Sequence, residues 1–136
     1  MSKIVQLSEA SSLALHATIL LARDGGTLSV SEIARRMSAS EAHLAKVVQQ
    51  LARAGLVSTA RGPKGGVRLA RPAGEITYLE VYEAVEGRLT AGNCLLRSCD
   101  KCPFSSCILG GLLDRMTEEI HKRFSQTSLT EGITNN

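Results

Sequence analysis

The chain has 136 residues, 3% aromatic content with no Trp, and 16 Lys and Arg against 13 Asp and Glu. That length accommodates one domain with room for an appended element, and its core has to be made of Leu, Val, Ile and Ala, which favours small packed helices over a β-sandwich. A net charge of +3 permits nucleic-acid binding without establishing it, so the placement of the cations matters more than their number.

The first residues lack the charged and apolar regions of a signal peptide. The most apolar run, Leu13 to Ala22, is too short to span a bilayer and carries His16. The expectation is a cytoplasmic protein, and in that compartment clustered cysteines read as metal-binding or redox chemistry rather than as a disulfide framework.

In chain order, Ser8 to Arg23 is predicted as a helix, with Leu13, Ala17, Leu20 and Leu21 on one face and Gly25 and Gly26 ending it. A second helix starts at a capping box made by Ser29 and Glu32, with a staple between Leu28 and Ile33, and runs to about Met37. Ser38 and Glu41 repeat the capping-box spacing and open a third helix that runs to about Ala54, before Gly55. Two short helices joined by a tight serine-bearing turn form the helix-turn-helix pattern. Leu56 to Ala60 and Val67 to Ala70 read as strands, and Arg61, Gly62, Pro63, Lys64, Gly65 and Gly66 between them make a hairpin, which in this position is a wing. Thr77 and Glu80 form a further capping box, with an Ile76 to Val81 staple, for a helix ending near Gly87. Arg88 to Gly110 is loop-like. Leu109, Leu112, Leu113, Met116, Ile120 and Phe124 then recur at helical spacing, and the polar stretch from Ser128 to Asn136 is predicted to fray. The fold class is therefore mainly α with a small β-hairpin wing. Residues 1–87 would form a winged helix-turn-helix DNA-binding domain, 88–108 a cysteine-rich loop, 109–127 a dimerisation helix and 128–136 a flexible tail.

The third helix would be the recognition helix. Its solvent-facing residues are Ser40, Ala42, His43 and Lys46, with Gln49 and Gln50 further along and Arg53 near the end. Ser, His, Lys and Gln reach base edges or phosphates, whereas Ala42 can only touch a thymine methyl. The wing adds Arg61, Lys64 and Arg68 among glycines that let backbone approach a duplex, and a cation there suits a narrow minor groove. A solvated basic face on a protein-interaction module is the blander alternative. The Gly62 to Gly66 stretch lacks the spacing of a phosphate-binding P-loop and opens no helix.

All four cysteines, Cys94, Cys99, Cys102 and Cys107, lie in one short loop. Thiolates gathered this closely suit one soft metal centre, an iron–sulfur cluster or zinc. Zinc usually takes two cysteine pairs separated by a longer stretch, and here only two residues separate the pairs. A thiol switch without metal is the third reading, although no βαβ pattern surrounds the Cys99 to Cys102 pair. Arg97 and Lys101 favour thiolates under any of these. No nucleophile has an acid–base partner beside it, so no enzymatic activity is expected.

Residues 31–34, the helix end at Ala54 to Val57, the Arg61 to Gly66 wing and the cysteine loop followed by a long helix together resemble the Rrf2 family of transcription regulators, over about Gln6 to Phe124. This family includes iron–sulfur-biogenesis, nitric-oxide and iron-responsive repressors. The resemblance implies a winged-helix homodimer on palindromic promoter DNA, a C-terminal helix that crosses its partner and an iron–sulfur cluster, [2Fe–2S] or [4Fe–4S], near the dimer interface. The three cysteines of the family fall on Cys94, Cys102 and Cys107, and Cys99 is additional. The position where some members carry a ligating histidine is Gly110, and the acidic position used by others falls on Ser12. The fourth ligand is then either Cys99, favoured because it lies in the same loop, or His16, Glu9 or a replaceable small ligand. His16 is otherwise a half-buried surface histidine, and His121 is a surface residue.

Overall fold

A computed structural model of the chain describes residues 7–90 and 99–134. Its helices are α1 (Glu9–Asp24), α2 (Val30–Met37), α3 (Glu41–Arg53), α4 (Tyr78–Glu86), α5 (Leu112–Gln126) and α6 (Leu129–Thr134). The strands β1 (Val57–Ala60) and β2 (Gly66–Leu69) pair antiparallel, with Val57 opposite Leu69 and Ala60 opposite Gly66. This is the mainly helical, winged architecture expected from the pattern.

The core is aliphatic, as composition requires. Leu13, Ala14, Ala17 and Leu21 of α1 bury with Ile33 of α2, Leu44, Val47, Val48 and Leu51 of α3, Leu56, Val57 and Val67 of the wing root, and Val81 of α4. Burying each Leu, Ile or Val is worth about 1.5–3 kcal/mol. Ser11, Thr18 and Thr117 are buried too, and each hydroxyl donates to a carbonyl three or four residues back, so none is left unsatisfied.

Helix boundaries follow the caps. Ser8 accepts from the Ser11 N–H, and the Gly25 N–H closes α1 on the Leu21 carbonyl. Thr77 and Glu80 make the complete reciprocal capping box. At α2 only half of the expected box forms. Ser29 accepts from the Glu32 N–H, but the Glu32 carboxylate turns to Arg35 and Arg36. The α3 start differs from the spacing argument. Ser40, not Ser38, is the cap, accepting from the His43 N–H at 3.2 Å. Ser38 instead sits at φ 50 and closes α2, its N–H directed at the Ala34 and Arg35 carbonyls, so it cannot hold the extended conformation that an N-cap needs.

The wing has a third member. Leu28 exchanges backbone hydrogen bonds with Val67, at 3.0 and 2.7 Å, adding the α1–α2 connection to the hairpin edge. The two glycines before Val67 are steric requirements of this packing. A Cβ at Gly65 would collide with the Ala60 carbonyl, and one at Gly66 (φ 147) would lie 2.6 Å from the Leu28 carbonyl oxygen.

Two C-terminal expectations are corrected. The long helix begins at Leu112, not Leu109, because Gly110 and Gly111 are both left-handed (φ 58 and 76) and place a turn before it. The described part of the tail, Leu129–Thr134, is helical and not frayed. Thr77 and Ser128 bridge, Leu129 donates to the Ile76 carbonyl at 3.0 Å, and α6 lies on α1 with Leu129 fully buried. No described helix is long and apolar enough to cross a membrane.

Candidate nucleic-acid interface and cysteine loop

On α3 the residues alternate by face. Leu44, Val47, Val48 and Leu51 are buried, while Ala42, Lys46, Gln49 and Arg53 recur at spacings of four, three and four along one stripe of the opposite side. Ser40 is exposed, with its oxygen already accepting the capping bond, and its hydroxyl proton remains available to a partner. His43 and Gln50 are half-buried. The His43 Nδ1 lies 3.8 Å from the Glu9 carboxylate, which brings the N-terminal turn of α3 beside the start of α1.

The wing follows directly beside this helix, since β1 packs on α3. Arg61, Lys64 and Arg68 are all exposed, and Arg68 Nε donates to the Ser58 hydroxyl across the hairpin at 3.2 Å. Lys46, Arg53, Arg61, Lys64 and Arg68 thus add five cationic side chains to two adjacent elements, and none of them pairs with a carboxylate among the described residues. Cations on α1, α2 and the segment before α4 are instead paired with carboxylates. Arg35 and Arg36 bind Glu32, Arg23 and Arg36 bind Asp24, and Arg71 binds Glu80 at 2.8 Å. The Arg35 and Arg36 hydrogen bonds pull the Glu32 carboxyl down to about 2. The positive face is therefore set by where the carboxylates are, which composition alone does not show. The wing glycines differ in why they are glycine. Gly65 and Gly66 are fully occupied by intramolecular packing, and of the wing glycines only Gly62 (φ 98) has open space at its Cα.

In the cysteine loop, Cys94, Arg97 and the Cys99 side chain lie outside the described residues. Cys102 is half-buried and Cys107 exposed, and both are free thiols. Cys107 sits in the turn that leads into α5. Backbone N–H groups of Gly111, Leu109 and Gly110 hold its thiol below the ordinary value, and the Leu109 N–H donates to Sγ at 3.4 Å. Hydrogen bonds to sulfur favour the thiolate, the form that ligates metal, so the donor chemistry fits a thiolate-bound centre. His16 is exposed, and its Nδ1–H donates to the Ser12 carbonyl at 2.7 Å, which leaves Nε2 as its free nitrogen. Among the described residues no three His, Cys, Asp or Glu side chains converge. The root of the loop is fastened to the body, with the Leu89 N–H donating to Glu83 at 2.8 Å and the Ser8 hydroxyl donating to Glu86.

On α5 the apolar residues divide between two directions. Leu113, Thr117, Ile120 and Phe124 turn toward the body, and Phe124 stacks edge-on against Tyr78 and Tyr82 of α4, with ring centroids 6.1 and 5.7 Å apart. The inward packing is chiefly on α4. Leu112 and Met116, one turn apart on α5, stay 42% and 44% exposed, and Phe104 and Ile108 ahead of the helix are exposed as well.

The Rrf2 family model, described as an iron-dependent transcriptional regulator, matches residues 7–135. Protein aau3 of Rhizobium meliloti (strain 1021) is 40% identical over 111 residues, covering 80% of this chain and 72% of that protein. Among solved structures, CymR of B. subtilis, described as the global cysteine regulator, superposes with a TM-score of 0.82 at 26% identity, over 97% of this chain and 98% of its own. T. potens IscR superposes with a TM-score of 0.76 at 22% identity, over 96% and 88%.

Proposed function

Because the chain belongs to the Rrf2 family of transcriptional regulators, a class of DNA-binding proteins and not of enzymes, we propose that it is a homodimeric cytoplasmic repressor whose cysteine loop holds an iron–sulfur cluster and tunes promoter binding. The observation that carries the DNA half is the joined cationic surface of α3 and the wing. Lys46 and Gln49 would enter the major groove, Ser40 and His43 would stand at the entering helix turn, and Arg61, Lys64 and Arg68 would take phosphates or the adjacent minor groove. The exposed strip of Leu112 and Met116 supports a second copy packing along α5.

Cys94, Cys99, Cys102 and Cys107 would hold the cluster, with His16 the alternative to Cys99. When bound, such a centre supplies one-electron redox chemistry and sensitivity to iron supply, oxidant or nitric oxide. The chain's part is to couple the loop to the reader. The loop root is tied through Glu86 and Ser8 to the start of α1, whose Glu9 faces His43, and the far end of the loop runs into α5. A ligand bound to the loop shifts DNA affinity only as far as it favours one dimer geometry over another.

A second reading is kept by a specific pair of observations. Cys102 has no disulfide partner among the described residues, and the neighbour described as a global cysteine regulator shares this fold, which supports a thiol switch or a zinc-stabilised loop as the alternative. Protein purified without oxygen separates the readings. Visible charge-transfer bands with matched iron and sulfide support the cluster, and Cys99→Ser beside His16→Ala then identifies the fourth ligand by iron content. One zinc per chain, or no metal even after reconstitution, refutes it. Operator binding by holo and apo protein at equal affinity would refute the sensing role.

A further inference from the structure

The turn from Cys107 to Leu112 is more constrained than a connector needs to be. The Cys107 carbonyl accepts the Gly110 N–H at 2.9 Å, the Leu109 carbonyl accepts the Leu112 N–H at 3.1 Å, and the Gly111 carbonyl accepts the Arg115 N–H at 3.1 Å. Gly110 and Gly111 are consecutive positive-φ residues, a conformation that α-carbon substituents disfavour. The Leu109 N–H at the start of this turn donates to the Cys107 sulfur at 3.4 Å. Helix α5 has no side-chain N-cap to hold this turn. One side chain reaches back to do so. Arg115 Nη1 donates to the Gly110 carbonyl at 2.6 Å, and the same nitrogen lies 3.4 Å from where a Gly111 Cβ would be.

We propose that Arg115 is a positioning residue for Cys107: its guanidinium clamps the Gly110 carbonyl and so keeps the glycine turn that holds the Leu109 N–H on the Cys107 sulfur. The proposal rests on reading Cys107 as a cluster ligand. Charge-assisted hydrogen bonds of this kind are stronger than neutral ones, and groups behind a ligand commonly set its orientation. Hydrogen bonds to ligating sulfur withdraw electron density and raise the potential of an iron–sulfur centre. Arg115 thus acts on the cluster through backbone geometry, without touching it.

The test uses the full-length protein with Arg115→Met, which keeps the length and loses the donor, and Arg115→Lys, which keeps a charge but not the fork. Three readouts are followed: hydrogen exchange of the amides at 109–111 in metal-free protein, the rate of iron release from anaerobic holo protein to a chelator, and the cluster's midpoint potential. Arg115→Met should exchange and release iron about tenfold faster than wild type, with a lowered potential, and Arg115→Lys should fall between. Wild-type exchange, release and potential in Arg115→Met would overturn the clamp while leaving the cluster reading standing. Faster exchange in Arg115→Met, in a protein that takes up no iron even when wild type, would keep the clamp and sink the cluster reading. Unchanged exchange in an iron-free protein would remove both.

Discussion

Replacing Leu129 with Ala distinguishes a docked C-terminal segment from a frayed one. Leu129 has no solvent exposure and stands at the start of α6, a helix of six residues joined to α5 by Thr127 and Ser128. Loss of a fully buried Leu side chain ordinarily costs about 2–5 kcal/mol through transfer and cavity terms. Here the upper part of that range is out of reach, because so short a helix can lift off α1 before a large cavity has to be kept open. The expected loss is about 2–3 kcal/mol, which for a chain of this size lowers Tm by on the order of 10 °C. The assay is urea unfolding at one fixed protein concentration, since a dimer couples stability to concentration. Thr130→Ala, at an exposed position of the same helix, serves as the control and should change stability by under about 0.5 kcal/mol. A Leu129→Ala variant as stable as that control would refute the docking of α6.

The remaining predictions concern the reader and its flank. Gly66→Ala should cost about 1–3 kcal/mol and speed amide exchange at Val67, because the new methyl meets the Leu28 carbonyl; an unperturbed Val67 amide would contradict the three-membered wing. Lys64→Ala should weaken operator binding evenly across sequences and reduce the slope of log K against log salt by about 0.9 for each phosphate that Lys64 neutralises, twice that in a dimer; an unchanged slope would take Lys64 off the DNA backbone. Glu32 has a folded carboxyl near 2 against an ordinary 4.5, so its contribution to stability is present above 4.5 and lost as pH falls toward 2. Glu32→Gln should therefore lower stability at pH 7 and make little difference at pH 2, by thermal unfolding; an equal deficit at both would show that packing, not charge, is at stake.

Local signals are readable in the sequence and pairings distant along the chain are not. Thr77 and Glu80 act through atoms three residues apart, and their capping box appears as its spacing predicts. Ser29 and Glu32 have the same spacing, yet Glu32 is drawn off by two arginines on its own helix, a competition that a cap motif does not register. Ser38 and Ser40 both look like caps; the choice is settled by Ser38 being used to close α2. The pairing of Leu28 with Val67 and of Thr77 with Ser128 links residues about 40 and 50 positions apart, where no periodicity points. The polar tail hides one Leu whose burial depends on a tertiary groove. For the site, residue type and clustering identify the cationic stripe and the thiols, whereas the freedom of Lys46, Arg61 and Lys64 from carboxylates among the described residues, and the backbone amides around Cys107, exist only once the chain is folded.

The three aromatic rings at the α4–α5 junction give the molecule a fulcrum. Phe124 is gripped between Tyr78 and Tyr82 near one end of α5, while Leu112 begins the other end beside the cysteine turn. The roughly twelve residues between them make a rigid arm of about 18 Å. A tilt of about 5° at the rings swings the tip by about 1.6 Å, enough to change which side chains interlock across a packed helix pair. If the proposed cluster is held at Cys107, a displacement there too small to unfold the loop would reach the joint as torque on α4, whose other neighbours include α1 and α3.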